Sequence, residues 1–440
     1  MKTLRASFLL GESPAVVRRA LSFLLRGGKG RVGARRELEE VFEKRFEGTT
    51  ATAFFRGRDA LAAGLRALKV EGGEVICQAF TCVSVPLAIR AAGATPVFAD
   101  IDDSLNLAAD SLEKKISSRT RAVILQHTFG VPADLGKILP LLKARGIPLL
   151  EDCAHALGAR WEGKGVGSFG EAAIFSFGQG KVLAGAGGGV LILAAAGERS
   201  LTSPSSESSS TGKSARLLDS SSAQPDLISP AAAPANRFPS KIQQLKSLLL
   251  PPTAALAKKL YDAGAGKATA GKLLARLFRH AKIWPPILSS EEKSGAPGKE
   301  FGMPEALAEL SLLALKEEEG RNRARRENSK RLRAALPNLD FQKVPAGAEP
   351  IFLREAAFLP SEEAAEASFP RAKKEKVLLG DWYRQLVAPA GAEPFGCSPE
   401  ECPRAADLAA RVVNLPNFPG ISEKELARVA KIFSEEGKAG

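Results

Sequence analysis

From residue 33 onward the apolar positions fall first into a helical rhythm and then into short blocks. Residues 33–70 predict helix: Ala34–Phe46 mixes charge with apolar residues at helical spacing, and Asp59–Leu68 (DALAAGLRAL) is rich in strong helix formers. Short apolar runs bounded by Gly, Pro or charge then recur: Glu74–Cys77, Pro96–Ala99, Arg121–Leu125, Ile147–Leu150, Ala173–Phe177 and Gly189–Leu193. Helical patterns such as Leu135–Ala144 fill most of the gaps between them. Parallel strands need long crossovers, usually helices, so this alternation over residues 30–195 predicts an α/β domain on a largely parallel sheet.

The pattern then changes. Ser200–Ser222 is dense in serine and predicts a flexible surface segment. Residues 241–284 return to helical spacing, with an interruption expected at Pro251-Pro252. Residues 303–335 predict one long helix, apolar through Leu315 and solvent-facing with mixed-sign pairs over Lys316–Arg333. Strand-like pieces at Ile351–Leu353 and Arg411–Leu415, with a last helix near Glu423–Phe433, predict a smaller α+β unit. The expected organisation is 1–195 as the large α/β domain, 196–300 as a Ser-rich and basic helical insert, and 301–440 as a helix plus a small C-terminal α+β domain.

Composition narrows the class of protein. The 440 residues are 45% hydrophobic and 25% charged, the balance of an ordinary soluble globular chain. No apolar run approaches the ~20 residues a membrane-spanning helix needs. MKTLRASFLL is stopped by Gly11, Glu12 and Ser13, so no signal peptide is expected. Five scattered cysteines suit a reducing, cytoplasmic setting, and Cys397 and Cys402 have no second pair or nearby His to make a metal site. A net charge of +13 favours anionic partners, but with 6% aromatics and no reading motif nucleic acid is not expected. Pro251–Pro285 holds seven Lys or Arg against Asp262 alone, which suggests weak contact of 241–284 with an anionic membrane surface. The plainer reading is a solvated face packed against the main domain.

Chemistry concentrates in 151–190. Glu151-Asp152 closes the run Ile147–Leu150, so Asp152 is expected at the carboxyl end of a buried strand, where ligands bind in open α/β sheets. Phe175-Ser176-Phe177 closes the next strand, followed by Gly178-Gln179-Gly180-Lys181 and the glycine-rich turn Gly185–Gly189. A buried Asp beside a lysine set among small residues is what a pyridoxal 5′-phosphate (PLP) site requires. The lysine must be unprotonated to form a Schiff base, and the carboxylate must pair with the pyridinium nitrogen so that the ring acts as an electron sink. Ser176 and the glycine-rich backbone offer donors for the phosphate. An Asp closing a strand and a lysine after glycines are each commonplace; their order and spacing together carry the reading.

Seven segments carry a resemblance in one order: FRGRDAL (55–61), EVICQAFTCVS (74–84), GATPVFADID (93–102), TRAVILQHTFGVPADL (120–135), LEDCAHALGA (150–159), GKGVGSFGEAAIFSFGQGK (163–181) and VVNLPNFPGIS (412–422). The chain resembles a divergent member of the DegT/StrS family of PLP-dependent nucleotide-sugar aminotransferases. The resemblance implies an aspartate-aminotransferase-like large domain (PLP fold type I) with a small α+β domain, working as a homodimer. It implies Lys181 as the Schiff-base lysine and proton shuttle, Asp152 as the partner of the pyridine nitrogen, and Ser176 as a phosphate donor. Gly57 and Arg58 fall in the loop before the helix whose backbone holds the phosphate. His155 falls where the family usually has a Gln near the ring's phenolic oxygen. The implied substrates are an amino donor, commonly glutamate, and a nucleotide-linked keto-sugar destined for a surface polysaccharide or glycoside.

Some positions depart from the family pattern. Arg58 stands where Thr is usual, and Cys82 where an aromatic stacks on the ring, leaving Phe80 or His127 to cover that face. Glu300-Phe301-Gly302-Met303 stands in place of an Asn-x-Arg-Met segment that reaches the neighbouring subunit. Two other readings follow. A sugar dehydratase of this family carries His in place of the lysine, so Lys181 argues against it. A catalytically altered relative acting as a binding or membrane-associated partner is opposed by the intact Lys181–Asp152–Ser176 set.

Overall fold

A computed structural model of the chain describes residues 3–5, 13–183, 187–195, 237–263, 269–284, 299–389, 391, 393–418 and 420–433. The serine-rich stretch 200–222 and Gly185-Ala186 of the glycine-rich turn lie outside the described residues. Two helices come first: α1 (Pro14–Leu25), whose Ser13 cap accepts the Val16 N–H at 3.0 Å, and α2 (Ala34–Arg45). The alternating region follows as β1 (Thr49–Phe54), α3 (Gly57–Ala67), β2 (Glu74–Gln78), α4 (Ser84–Ala91), β3 (Thr95–Ala99), α5 (Ala109–Lys115), β4 (Thr120–Gln126), α6 (Leu135–Arg145), β5 (Leu149–Asp152), β6 (Ala172–Ser176) and β7 (Gly189–Ala194). The six strands expected from the apolar runs all form, shifted by a residue or two, while β1, with three threonines in six residues, lies inside the 33–70 stretch expected to be helical, where pairing with β7 makes it a strand.

These seven strands make one sheet in the order β1-β7-β6-β5-β4-β2-β3. Only β7 runs antiparallel to its neighbours, so the sheet is largely parallel as expected. Both faces are covered. Ile174, Leu150 and Leu191 face a core with Leu61 and Leu65 of α3, while Ala173, Phe175 and Val190 face another with Leu38 and Phe42 of α2. Burial on both faces explains why these strands read as continuous apolar blocks rather than alternating ones. Helix α3 lies close to the sheet because Gly64 has no side chain; a Cβ there would stand 2.9 Å from Leu191 and 3.0 Å from Leu150.

The second half departs from expectation in three places. Helix α7 (Lys241–Lys259) opens on a Ser240–Gln243 capping box and runs unbroken through Pro251-Pro252. It packs along α1 and against α8 (Ala270–His280), burying Leu248 and Ala254, and that tertiary packing outweighs the local cost of the prolines. The expected single helix over 303–335 is two, α9 (Glu305–Leu315) and α10 (Glu318–Ala335), because apolar α9 stays on α1 and α2 while α10 turns toward the C-terminal unit. One face of α10 is buried rather than solvent-facing, with Asn322 donating to Leu157 O at 3.0 Å and Asn328 to Phe418 O at 2.6 Å.

The last unit is a three-stranded sheet in the order β8 (Asp340–Phe341), β9 (Glu355–Phe358), β10 (Val412–Leu415), with helices α11 (Glu362–Lys374), α12 (Pro403–Arg411) and α13 (Glu423–Phe433). The strand expected at Ile351–Leu353 lies instead at β9. Ile351 is committed elsewhere: it is fully buried in the core of the main sheet's α2 face and its N–H bonds Gly130 O at 2.9 Å. That detour delivers Arg354, next in the chain, to the interior. No helix among the described residues is long and apolar enough to cross a membrane.

Candidate active site

The carboxyl ends of β5 and β6 are neighbours, so Asp152 and Ser176 emerge side by side. Asp152 is buried, and its Oδ1 accepts the Ala154 N–H at 3.0 Å. Burial raises its pKa above the usual carboxylate range, against the pull of Lys181. The N-terminus of α3 comes in beside Ser176: a Cβ on Gly57 would stand 2.7 Å from Ser176 Oγ and 2.8 Å from its Cβ. Gly189 on β7 is as tight, since a Cβ there would stand 2.7 Å from Gly57 Cα. The result is a glycine-walled cradle with a hydroxyl and a helix N-terminus, a natural anion seat. Arg58 follows in the first turn of α3, half-buried.

Lys181 is held at its tip. Its Nζ lies 2.8 Å from His155 Nε2. The Phe129 N–H donates to His155 Nδ1 at 3.4 Å, which leaves Nε2 to carry the ring proton and donate to Nζ. An ammonium has no lone pair to accept that bond, so the geometry fits a neutral lysine. The electrostatics agree: burial, then Arg354, lowers the Lys181 pKa, with Cys82 and Asp152 acting in the other direction. Burial and the Lys181 and Arg354 charges hold His155 well below its usual range, so it is neutral too.

Several of the surrounding residues carried no local signal in the sequence. Tyr383 is buried against Phe80, Phe129 and His155, with ring centroids 5.4, 5.9 and 6.4 Å apart. Trp382 lies under both side chains, its ring centroid 5.9 Å from Lys181 Nζ and 4.2 Å from Arg354 Cζ. A cavity of about 540 Å³ abuts the cluster through Cys82, Trp382 and Tyr383, extending to Asp381, Gln385 and Pro389. It does not itself reach Lys181 or Asp152, so the larger opening lies beside these two residues rather than over them.

His127 does not cover a ring face. It is fully buried, with Nδ1 accepting the Ala133 N–H at 3.1 Å and Nε2 placed to donate to Glu151 Oε2 at 3.1 Å. Glu151 also accepts the N–H groups of Gly167, Phe169 and Gly170 at 2.8, 2.6 and 2.9 Å. His127, Glu151 and Cys153 sit close enough to hold a metal ion, but both His127 ring nitrogens and both Glu151 oxygens are already used, so the cluster reads as a structural brace. Phe80 is fully buried and meets Tyr383 edge-on. Cys397 and Cys402 are both buried, and the Cys397 thiol, with burial, pushes the Cys402 pKa up. Glu300 of the divergent segment ion-pairs with Arg66, and Met303 is buried against Gly188.

A sequence model of the DegT/DnrJ/EryC1/StrS aminotransferase family matches residues 17–198 and 275–434. The chain belongs to this family. The stretch between the two matched parts holds α7. Among curated family relatives, the UDP-N-acetyl-3-dehydro-α-D-glucosamine 3-aminotransferase of Acidithiobacillus ferrooxidans is 44% identical over 133 residues, 30% of this chain and 36% of that protein. The GDP-perosamine synthase of Escherichia coli O157:H7 is 36% identical over 149 residues, 33% of this chain and 41% of that protein. The chain thus matches less than half the length of these relatives. Among solved structures, the PLP-form of Spr1654 from Streptococcus pneumoniae superposes with a TM-score of 0.68 at 18% identity, covering 98% of this chain and 97% of that one. Helicobacter pylori PseC, an aminotransferase involved in pseudoaminic acid biosynthesis, gives 0.66 at 16% identity, with 98% of each chain covered. At such identity the likeness establishes the fold, the α/β PLP fold type I expected from the sequence.

Proposed function

We propose that this DegT/StrS family chain is a PLP-dependent aminotransferase that moves an amino group, with glutamate as donor, onto a nucleotide-linked keto-sugar. The observation that carries the reading is the placement of Lys181, its Nζ 2.8 Å from His155 Nε2 and its pKa lowered by burial, with buried Asp152 near enough to act on its charge. The residues present fit PLP. The close packing of Gly57, Gly189 and Ser176 sets a hydroxyl beside a helix N-terminus, the donors that suit a phosphate. Asp152 offers a buried carboxylate for a ring nitrogen. The printed activities of the relatives, on UDP- and GDP-linked sugars, support the acceptor class.

In this reading PLP, when bound, supplies the electron sink that lets an amine leave one carbon and arrive at another. The chain's own residues do the rest. Lys181 Nζ would hold the cofactor and, as a base, would move a proton at its own nitrogen. His155 keeps Nζ in place from 2.8 Å. Asp152 would hold the charge of the ring nitrogen. Ser176, Gly57 and Arg58 would hold the phosphate. Work as a homodimer belongs to the same proposal, and sedimentation mass checks it.

Borohydride treatment of the protein with PLP, followed by peptide mass spectrometry, tests the reading. The cofactor mass is expected on Lys181 alone and nowhere in Lys181→Ala, with a visible PLP absorbance that glutamate bleaches only in the parent. Cofactor fixed on another lysine, or no absorbance in the parent, would sink it.

A further inference from the structure

Arg354 is the least satisfied charged group near the reactive lysine. It is 3% exposed, yet among the described residues it makes no salt bridge and no side-chain hydrogen bond, and its Nε is buried without a partner. A guanidinium buried unpaired costs several kcal/mol, so such a group persists where an anion arrives from outside the chain. Its position is fixed. Its backbone N–H bonds Phe129 O at 3.4 Å, and Trp382 lies flat beneath it, the ring centroid 4.2 Å from Cζ. A Cβ on Gly180, the residue before Lys181, would stand 3.0 Å from Arg354 Nη2. The guanidinium therefore sits alongside Lys181, with the same indole under both.

We propose that Arg354 binds the α-carboxylate of the amino donor, which makes the donor an α-amino acid read at the carbon that carries the reacting amine. This rests on the aminotransferase reading. The distance decides between anions. An α-carboxylate is one bond from the carbon that loses its amine beside Lys181, whereas the diphosphate of a nucleotide-sugar is a sugar ring away from its keto carbon. A planar carboxylate also matches the two-pronged guanidinium. The local field is consistent with the assignment: burial pushes the Arg354 pKa down to about 10, and Tyr383 and Asp381, which oppose that shift, make no salt bridge or hydrogen bond to the guanidinium. A bound carboxylate neutralises the cation that helps keep Lys181 unprotonated.

The test uses full-length PLP-loaded protein, the variants Arg354→Gln and Arg354→Lys, and calorimetric binding of glutarate, a dicarboxylate with no amine to react. Arg354→Gln is expected to weaken glutarate by roughly 10- to 100-fold, the loss of one charge-assisted pair, and Arg354→Lys by less. UDP affinity should stay that of the parent. Without ligand, Arg354→Gln should melt at or above the parent temperature, because an uncompensated buried charge has gone. Four results would overturn the proposal: no glutarate binding to the parent, unchanged glutarate affinity in Arg354→Gln, loss of UDP affinity with glutarate untouched, or unfolding of both variants. The two readings fail separately. If the parent holds no PLP but still binds glutarate through Arg354, only the cofactor reading falls; if PLP is held and glutarate ignores Arg354, only this one does.

Discussion

Replacing Gly57 with alanine probes the cradle at the start of α3. The new Cβ would stand 2.7 Å from Ser176 Oγ and 2.8 Å from Ser176 Cβ. Rotating the serine relieves the first clash and leaves the second. Carbon–carbon contact is comfortable only from about 3.5 Å, so the helix start must move by roughly 0.7 Å relative to β6. It has little freedom to do so, because Gly189 already packs against Gly57 Cα. Overpacking of this kind costs about 1–3 kcal/mol of stability. The same shift moves the N–H groups that the phosphate would meet, and losing one hydrogen bond to a charged group costs about 1.5–3 kcal/mol, or roughly 10- to 150-fold in affinity. Absorbance titration with PLP, read beside thermal melting, measures both. Gly320→Ala is the control: nothing lies within 4 Å of its Cβ, and alanine favours a helix interior over glycine. A Gly57→Ala protein that binds PLP within about twofold of the parent and melts with it would refute the cradle.

Two further outcomes follow from the same geometry. Glu151→Gln puts an amide among donors that need a carboxylate, and a loss of at least ~3 kcal/mol in urea unfolding at pH 7 is expected. Burial alone would raise the Glu151 pKa, but His127 and the backbone N–H groups hold it below the ordinary 4.5. A depressed carboxylate stabilises above its unfolded pKa and loses that contribution as pH falls through the folded one, so the gap between parent and variant should narrow below about pH 4.5. Equal stability at pH 7 would dismiss the brace. Lys181 in PLP-free protein should acylate with a pH midpoint below 10.5; Arg354→Gln should raise that midpoint and Asp152→Asn lower it, since the two charges act on Nζ in opposite directions. Mass-spectrometric labelling reads this, and a midpoint indifferent to Arg354 would count against the field described here.

The sequence by itself determined the sheet and singled out Asp152, Ser176 and Lys181. Strands buried on both faces must be apolar blocks, and chain reversals between parallel strands must be helical, so both are written locally. Asp152 and Ser176 close two such blocks, so their place at strand ends follows from the pattern, while the adjacency of those strands is a property of the sheet. Lys181 follows after a glycine turn, within the same short span. What only the tertiary structure decided lies at long range. Helix α7 runs through two prolines because α1 and α8 pack on it, which no local propensity records. His127, a candidate ring cover by position, is taken by Glu151 and Ala133. Arg354 reads in sequence as a charge after a short apolar run. It becomes a candidate anion site because Ile351 is held in the core beneath the main sheet, Trp382 arrives from the C-terminal unit, and the nearby Asp381 acts on the guanidinium only through its field, with no salt bridge to it among the described residues. Burial and the absence of a partner are properties of the assembled fold, and a side chain's charge along the chain does not encode them.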